Sequence, residues 1–487
     1  MTSYGALLKY QIMAEPEALS RTLADTVTLS RELREEGQID GQVKLYNVDD
    51  ENEFESDAEL FFDRTLMTQG LREALSILRD SLTGDDPRGT HILYGPYGSG
   101  KSHQMVALYH CFDDSSAAGA WADDSIEGFE DALPESATPI TVAMQNEQYE
   151  YLWEPFFEAL NYDPGTYESG GYPDMQTIQN AVGDDSVAFF VDELEDWFDT
   201  LQGDRKSANK AFLQSLLEST ALSDLELYTI VSVLREGSEV HDILNREQAV
   251  EVNMNNQVDK REVLRHRLID SVDENAAREI VNEYFDAYDQ ADGHVDLPDD
   301  LLSEMHDLYP FHPVLLDALE TRYYADEGNQ NTRGMIYLFS KVLLQMQDQT
   351  DLITHGDIDA IEFEDELAKI NYERLNAATG DIKSRVDTDE VPHGRRILNT
   401  ILLYSLKPSE GEGAEVSEIV MGAYQTGDLV SDVVLNLERL HGVAWHLHKL
   451  NGKYAIRDRQ NPNALIRNAA VDVSETSAKA EIADFIT

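Results

Sequence analysis

The segment Gly95-Pro96-Tyr97-Gly98-Ser99-Gly100-Lys101-Ser102 sets glycines, a lysine and a hydroxyl in the spacing G-x-x-x-x-G-K-S/T. Glycines let a backbone wrap an anion closely and aim its N–H groups inward. A helix starting at the end of this loop adds the positive end of its dipole. In such a pattern Lys101 neutralises the β- and γ-phosphates of a nucleoside triphosphate, ATP by preference. The Ser102 hydroxyl then ligates Mg²⁺, and His103 closes the binding segment. Further on, Val187-Ala188-Phe189-Phe190-Val191 is an apolar run ending in Asp192-Glu193. A carboxylate at the tip of a buried strand adjoining the loop's own strand can hold the Mg²⁺ shell, which is the role expected of Asp192. Glu193 can then orient and deprotonate an attacking water. The run Leu227 to Val233 brings Ser232 to a strand end, where it is expected to touch the γ-phosphate or the water. Arg333, in Gln330-Asn331-Thr332-Arg333-Gly334, opens another helix and is expected to reach the γ-phosphate from a lid. For a cation supplied by a neighbouring subunit, Arg246, Arg265 and Arg267 are all eligible.

These groups need a scaffold. His91 to Tyr94 reads as a short strand feeding the glycine loop, and QMVALYHCF reads as the helix after it. Ile140 to Met144, Val187 to Val191 and Leu227 to Val233 are further strands, each followed by a helical pattern. That alternation predicts a parallel sheet with helices on both faces. From Phe61, Leu71, Leu75, Leu78 and Leu82 recur at helical spacing and predict one amphipathic helix. Segments 115–137 and 161–174 are rich in Ser, Gly, Pro and acid, and read as surface insertions. The organisation that follows is an acidic segment over 1–60, with a helical stretch near 18–36, and an α/β core over 61–257. A helical lid over 258–385 and a winged-helix-like unit over 386–470 come next, the latter with a strand pair around Trp445 to Ile456 turning at Asn451-Gly452. Residues 471–487 open a further helix.

The composition bounds the function. In 487 residues, 94 acidic against 37 basic side chains leave a net charge of −57. The acids are dispersed, and only 13 of the basic residues are Lys. That pattern fits a protein kept soluble in concentrated salt, where self-repulsion is screened within about 3 Å at 1 M; the rival reading is an acidic mimic of nucleic acid. No apolar run approaches a membrane span, and the start of the chain lacks a secretory signal, so a cytoplasmic protein is expected. Cys111 is the single cysteine, which excludes an intrachain disulfide and suits a small core residue. From Arg439 to Ala470, Arg439, Lys449, Lys453, Arg457, Arg459 and Arg467 face only Asp458. This basic window suggests duplex DNA as a partner of the winged unit, or docking onto the acidic core. His441, His446 and His448 have no carboxylate or thiol at ligand spacing, and a metal reading is set aside.

FFDRTLMTQGLREAL, YGPYGSGKSHQMVALYH, YPFHPVLLDAL, NQNTRGMIYLFSKVL and AWHLHKLNGKYAIRDRQNPNALI resemble, in the same order, motifs of large AAA+-like ATPases of archaeal and bacterial defence islands, related to the ATPase of BREX-type phage-exclusion systems. The resemblance spans residues 60–470. It implies a P-loop NTPase core, a helical lid and a winged-helix-like domain, and an ATP-hydrolysing motor or switch that assembles with itself and with defence partners on DNA. Gly98-Ser99-Gly100 departs from the glycine triplet common before the lysine, and family members are commonly longer. A nucleotide-gated scaffold without hydrolysis, and a replication-initiator-like ATPase, are the alternatives.

Overall fold

The computed structural model describes residues 21–144, 149–167, 170–222, 224–235, 237–246, 250–253, 259–291, 295–323, 331–387, 391–408, 411–462 and 464–466, with Gly293 and Lys479. Its strands are β1 (Val27–Leu29), β2 (Thr90–Tyr94), β3 (Thr138–Ala143), β4 (Val187–Asp192), β5 (Leu227–Val233), β6 (Val250–Asn253), β7 (Ile269–Val272), β8 (Leu447–Leu450) and β9 (Lys453–Ile456). The chain divides into two compact units. One comprises Asp40–Leu268 with Asp326–Tyr337, and the other comprises Met1–Ile39, Ile269–Ala325 and Leu338–Thr487.

The first unit is built on a five-stranded parallel sheet ordered β3-β4-β5-β2-β6. β4 is buried along its whole length, and its alternating side chains supply two cores. Val187, Phe189 and Val191 join one cluster of buried residues, while Ala188 and Phe190 join the other. Side chains alternate across a strand, so helices cover both faces, as the sequence predicts. The unit is thus an α/β core on a parallel sheet, as the sequence pattern predicts. Its sheet order corrects one expectation, however: β4 does not adjoin β2, because β5 lies between them. β6 was not foreseen from the sequence either; its four residues carry alternating Val and polar side chains too short to show a period.

Other local readings are revised. The predicted helix from Phe61 is two helices, α1 (Ala58–Asp63) and α2 (Gln69–Thr83), with Thr68 capping the second through its hydroxyl (3.2 Å to the Leu71 N–H). A Thr cap offers an alternative backbone partner and ends the apparent continuity. Segment 115–137 is more than a surface insertion, because Ala118, Ala122, Ile126 and Phe129 are buried in the core beside α1 and α2. The Gly-rich loop leads into α3 (Lys101–Asp113), which is buried from Gln104 to Phe112, and Cys111 is buried within it. Two more helices complete what positions the site: α4 (Leu194–Thr200) directly after β4, and α5 (Asp259–Leu268) at the unit's end. α6 (Asn331–Met346) contributes its first turns to this unit. Residues 40–60, read from sequence as part of an N-terminal segment, belong to this unit as well.

In the second unit β1 and β7 pair antiparallel. Both fall in stretches read as helical, 18–36 and 258–385, and both are too short to interrupt a helical pattern. His312 of the FHP segment caps the helix Pro313–Arg322 by accepting the Val314 N–H at 3.2 Å, with Pro313 in the first helical turn. Proline suits that position because its missing N–H has no intrahelical role there. Towards the chain end come α7 (Gly394–Leu403), α8 (Val416–Ala423) and α9 (Val430–Val443), then the antiparallel hairpin β8–β9. Asn451 and Gly452 both take positive φ at its tip (51° and 89°), as a two-residue hairpin turn requires. An isolated antiparallel bridge joins Ala414 to Tyr454 of β9. Residues 1–20 and, apart from Lys479, the 471–487 helix lie outside the described residues. Among the described residues no helix is long and apolar enough to cross a membrane.

Candidate nucleotide site

A cavity of about 520 Å³ opens within the first unit, and the Tyr97–Gln104 segment forms one wall of it. Gly98 and Gly100 take φ of 73° and 93°, values at which a side chain would be strained. Gly100 caps α3, so the loop's last N–H groups and the helix terminus converge on the cavity. Lys101 is 8% exposed, and its Nζ donates to the carbonyls of Gly95 (2.7 Å) and Pro96 (2.9 Å). Burial pushes its ammonium down to about 8, against the pull of Asp192 and Glu193. The Tyr97 ring lies 5.7 Å from that ammonium, and its hydroxyl donates to Asp196 (2.5 Å).

Opposite the loop, the tip of β4 brings three groups together. Ser102 Oγ donates to Asp192 Oδ2 at 2.9 Å. The other carboxylate oxygen, Oδ1, accepts from the Ser232 hydroxyl and from the Glu193 N–H (3.0 Å). That N–H is also 3.1 Å from Ser232 Oγ. The inserted strand explains the arrangement. β5 lies between β4 and β2 with Ser232 opposite Leu93 of β2, so Ser232 fills the gap that Asp192 spans to reach Ser102. Glu193 has φ 56°, an unfavourable conformation for a residue with a side chain, and it turns the chain from β4 into α4. Burial, and then the neighbouring Asp192 and Asp196, raise its carboxyl above the ordinary range.

The remaining candidates are placed as follows. His103 is neutral: burial, then Arg267 and His266, push it down to about 3. Its Nε2 is 2.9 Å from the Thr65 hydroxyl, whose hydrogen goes to the Phe61 carbonyl (2.6 Å), so His103 is the donor. The ring packs against Phe61, tying α3 to α1. Arg333 lines the cavity and donates to Asp40 at 2.8 and 3.1 Å. Arg267 is 5% exposed and lines this same cavity. Arg265 is half-buried on α5 outside the cavity lining, and the Arg246 side chain and Gln330 lie outside the described residues.

Sequence reasoning missed several participants. Glu195, 1% exposed, accepts from the backbone N–H groups of Leu234 (3.0 Å) and Arg235 (3.2 Å) and from Arg235 Nε (2.9 Å). It thereby pins the chain just beyond Ser232 to α4. The signal was the third acid of Asp192-Glu193-Leu194-Glu195, easily overlooked among so many carboxylates. Gly41 to Val43, Leu66, Thr68, Gly70, Leu71, Lys260 and Val263 also line the cavity. With Arg64, Lys101, Lys260, Arg267 and Arg333 around one cavity, the lining is basic in a chain of net charge −57.

The basic window of 439–470 has a different character. Lys449 pairs with Glu438 (3.0 Å), Lys453 with Glu415 (3.1 Å), and Arg457 with Glu412, which Arg374 also meets (2.8 Å). Arg467 lies outside the described residues. His446 bonds Asp381 (3.1 Å), His448 the Arg459 carbonyl (2.8 Å), and His441 packs on Tyr454. Lys449, Lys453 and Arg457, three of the six basic residues of the window, are thus paired with acids of the same unit.

Residues 31–149 match the DUF499 N-terminal domain and residues 255–366 the DUF499 second domain. No curated protein matches the chain. Among solved structures, the Aeropyrum pernix ORC1 protein in complex with DNA is similar at 14% identity and a TM-score of 0.36, covering 88% of this chain and 96% of that one. The Aeropyrum pernix ORC2 protein in ADPNP–ADP complexes is similar at 13% identity and 0.29, covering 90% and 98%. The Thermotoga maritima RuvB Holliday junction branch migration motor is similar at 12% and 0.25, covering 85% and 100%.

Proposed function

We propose that the first unit binds ATP with Mg²⁺ and hydrolyses it, so that the protein acts as an ATP-driven switch or motor. The observation that carries this reading is the Asp192 carboxylate, shared between the Ser102 and Ser232 hydroxyls with Glu193 beside it. The Gly98 and Gly100 backbone and Lys101 hold the phosphates, and Lys101 exchanges its two carbonyl partners for them. Ser102 and Asp192 offer hard oxygen donors of the kind Mg²⁺ takes, and the ion when bound neutralises charge on the β- and γ-phosphates. Glu193 accepts the proton of the attacking water, and burial beside Asp192 and Asp196, which raises its pKa, makes it a stronger base than an ordinary glutamate. Ser232 and Glu195 are positioning residues, the first for Asp192 and Glu193, the second for the Leu234-Arg235 backbone. Arg333 is the cation that moves from Asp40 to the γ-phosphate.

The sequence motifs support a setting in a BREX-like defence system, with self-assembly and partner proteins driven by the ATP cycle. α7 to α9 with β8–β9 run in the order of a winged helix. Duplex DNA reaching it through 439–470 would have to displace Glu412, Glu415 and Glu438 from their cations.

Glu193→Gln tests the catalytic part: it retains ATP binding and loses turnover. Unchanged hydrolysis in that variant removes Glu193 from the role and leaves the nucleotide-gated scaffold as the better reading.

A further inference from the structure

α3 runs from the loop straight into the core, and every residue from Gln104 to Phe112 is buried. Within that run His110 bonds the Glu55 carbonyl (2.9 Å) and Tyr109 interacts with Asp113. Gln104 differs. It is 5% exposed, and its side-chain carbonyl oxygen has no hydrogen-bond partner among the described residues. Its amide nitrogen stands 3.4 Å from where a Cβ on Gly70 would lie, and both residues line the cavity. Burying an amide without a partner costs stability, and a ligand group in the cavity would remove that cost. The cavity walls also include Val43, Leu66, Leu71, Val263 and Ile336, apolar surfaces suited to a flat ring rather than to phosphate. One helical turn separates Gln104 from Lys101, so a single nucleotide spans both.

We infer that Gln104 reads the nucleobase and makes the site selective for adenine; this rests on the nucleotide reading above. A primary amide offers a donor and an acceptor side by side. Adenine presents the complement, its N6 amino group beside N7, whereas guanine presents two acceptors, O6 and N7, on the same edge. Glycine at position 70 leaves room for the amide to turn either face towards the base.

The test is equilibrium binding of ATP, GTP and inorganic tripolyphosphate to the full chain, its Gln104→Leu and Gln104→Met variants, and Lys101→Ala. The parent should prefer ATP over GTP. Gln104→Leu should lose about tenfold in ATP affinity and most of that preference, with tripolyphosphate binding unchanged, since a bidentate base contact is worth this order of discrimination. Nucleotide-free Gln104→Leu should melt no lower than the parent. Gln104→Met, with a side chain of similar length, should repeat the loss and stands in if the leucine variant fails to fold. A parent without preference, a retained ATP-to-GTP ratio in the folded variants, or an equal loss for tripolyphosphate would overturn the inference. Lys101→Ala isolates the underlying reading: if it binds ATP and tripolyphosphate as the parent does, the cavity is not the nucleotide site at all.

Discussion

Ser232→Ala removes one hydroxyl from the junction where Asp192, Glu193 and the end of β5 meet. In the parent that hydroxyl donates to Asp192 Oδ1 and lies 3.1 Å from the Glu193 N–H. Without it, Asp192 keeps the Ser102 hydroxyl and the Glu193 N–H, while Glu193 keeps one acceptor for an N–H held in a left-handed conformation. A hydrogen bond to an ionised group is worth about 1.5–3 kcal/mol. If that energy orients Asp192 and Glu193 only where the transition state needs them, it corresponds to about a ten- to hundredfold loss in kcat, at 1.36 kcal/mol per decade. KM should hold, because the loop glycines and Lys101 are untouched and binding is not the step being altered. Steady-state phosphate release gives both constants, and Ser232→Thr, which keeps the hydroxyl on a strand where branching is tolerated, should recover most of the rate. A raised KM with unchanged kcat would show that Ser232 meets the nucleotide itself, as its sequence position first suggests. A kcat for the alanine variant within about twofold of the parent would refute the positioning argument, since that is well under 1 kcal/mol.

Lys101→Met should abolish nucleotide binding and yet melt above the nucleotide-free parent near pH 7. Burial lowers the ammonium's pKa to about 8, so below that pH the folded state carries a charge it disfavours, and the penalty fades as pH rises from about 8 towards the ordinary lysine range; a lower melting temperature for the variant would contradict this. The hydrolysis rate should rise with pH through a limb displaced upward from ordinary glutamate values, because the raised carboxyl of Glu193 must lose its proton to serve as base. A pH–rate profile whose acid limb sits at ordinary carboxylate pH would remove that assignment. Thermal stability should climb between about 0.1 M and 1 M KCl as the Debye length shrinks from about 10 Å to about 3 Å and screens the net charge of −57; a melting curve that falls with salt would sink the explanation of the composition.

Much of the site is legible in the sequence because its chemistry is local. The glycine loop and Lys101 occupy one short segment, and β4 announces itself by five apolar residues before two acids. What the sequence cannot express is the order of strands in the sheet. Placing β4 beside β2 is the simplest inference from two consecutive motifs, but β5 enters between them, and that single insertion changes the meaning of Ser232. It becomes the bridge across the gap rather than an isolated strand-end hydroxyl. Glu195 was illegible for a related reason: its partners, the Leu234 and Arg235 N–H groups, lie on another strand's exit, and only the sheet brings the two together. Short elements failed differently. β1, β6 and β7 have three or four residues each, no more than two periods of alternation, so pairing partners alone define them.

Charge shows the same divide between local and tertiary information. In a chain with 94 acids, any basic cluster in sequence invites a functional reading, and the 439–470 window stands out most. Yet Glu412, Glu415 and Glu438 precede that window in sequence and fold back onto Arg457, Lys453 and Lys449, so three of its six cations are paired once the unit forms. The cavity behaves in the opposite way. Arg64, Lys101, Lys260, Arg267 and Arg333 come from four separate segments of the sequence, and only Lys260 and Arg267 share one. Folding gathers them at one cavity, with Asp192 and Glu193 concentrated at one tip of it. Strong acidification should dilute basic residues wherever they are dispensable. Five of them converging from four separate segments therefore argue more strongly for a bound polyanion than a basic window of which Lys449, Lys453 and Arg457 are already paired with their own unit's acids.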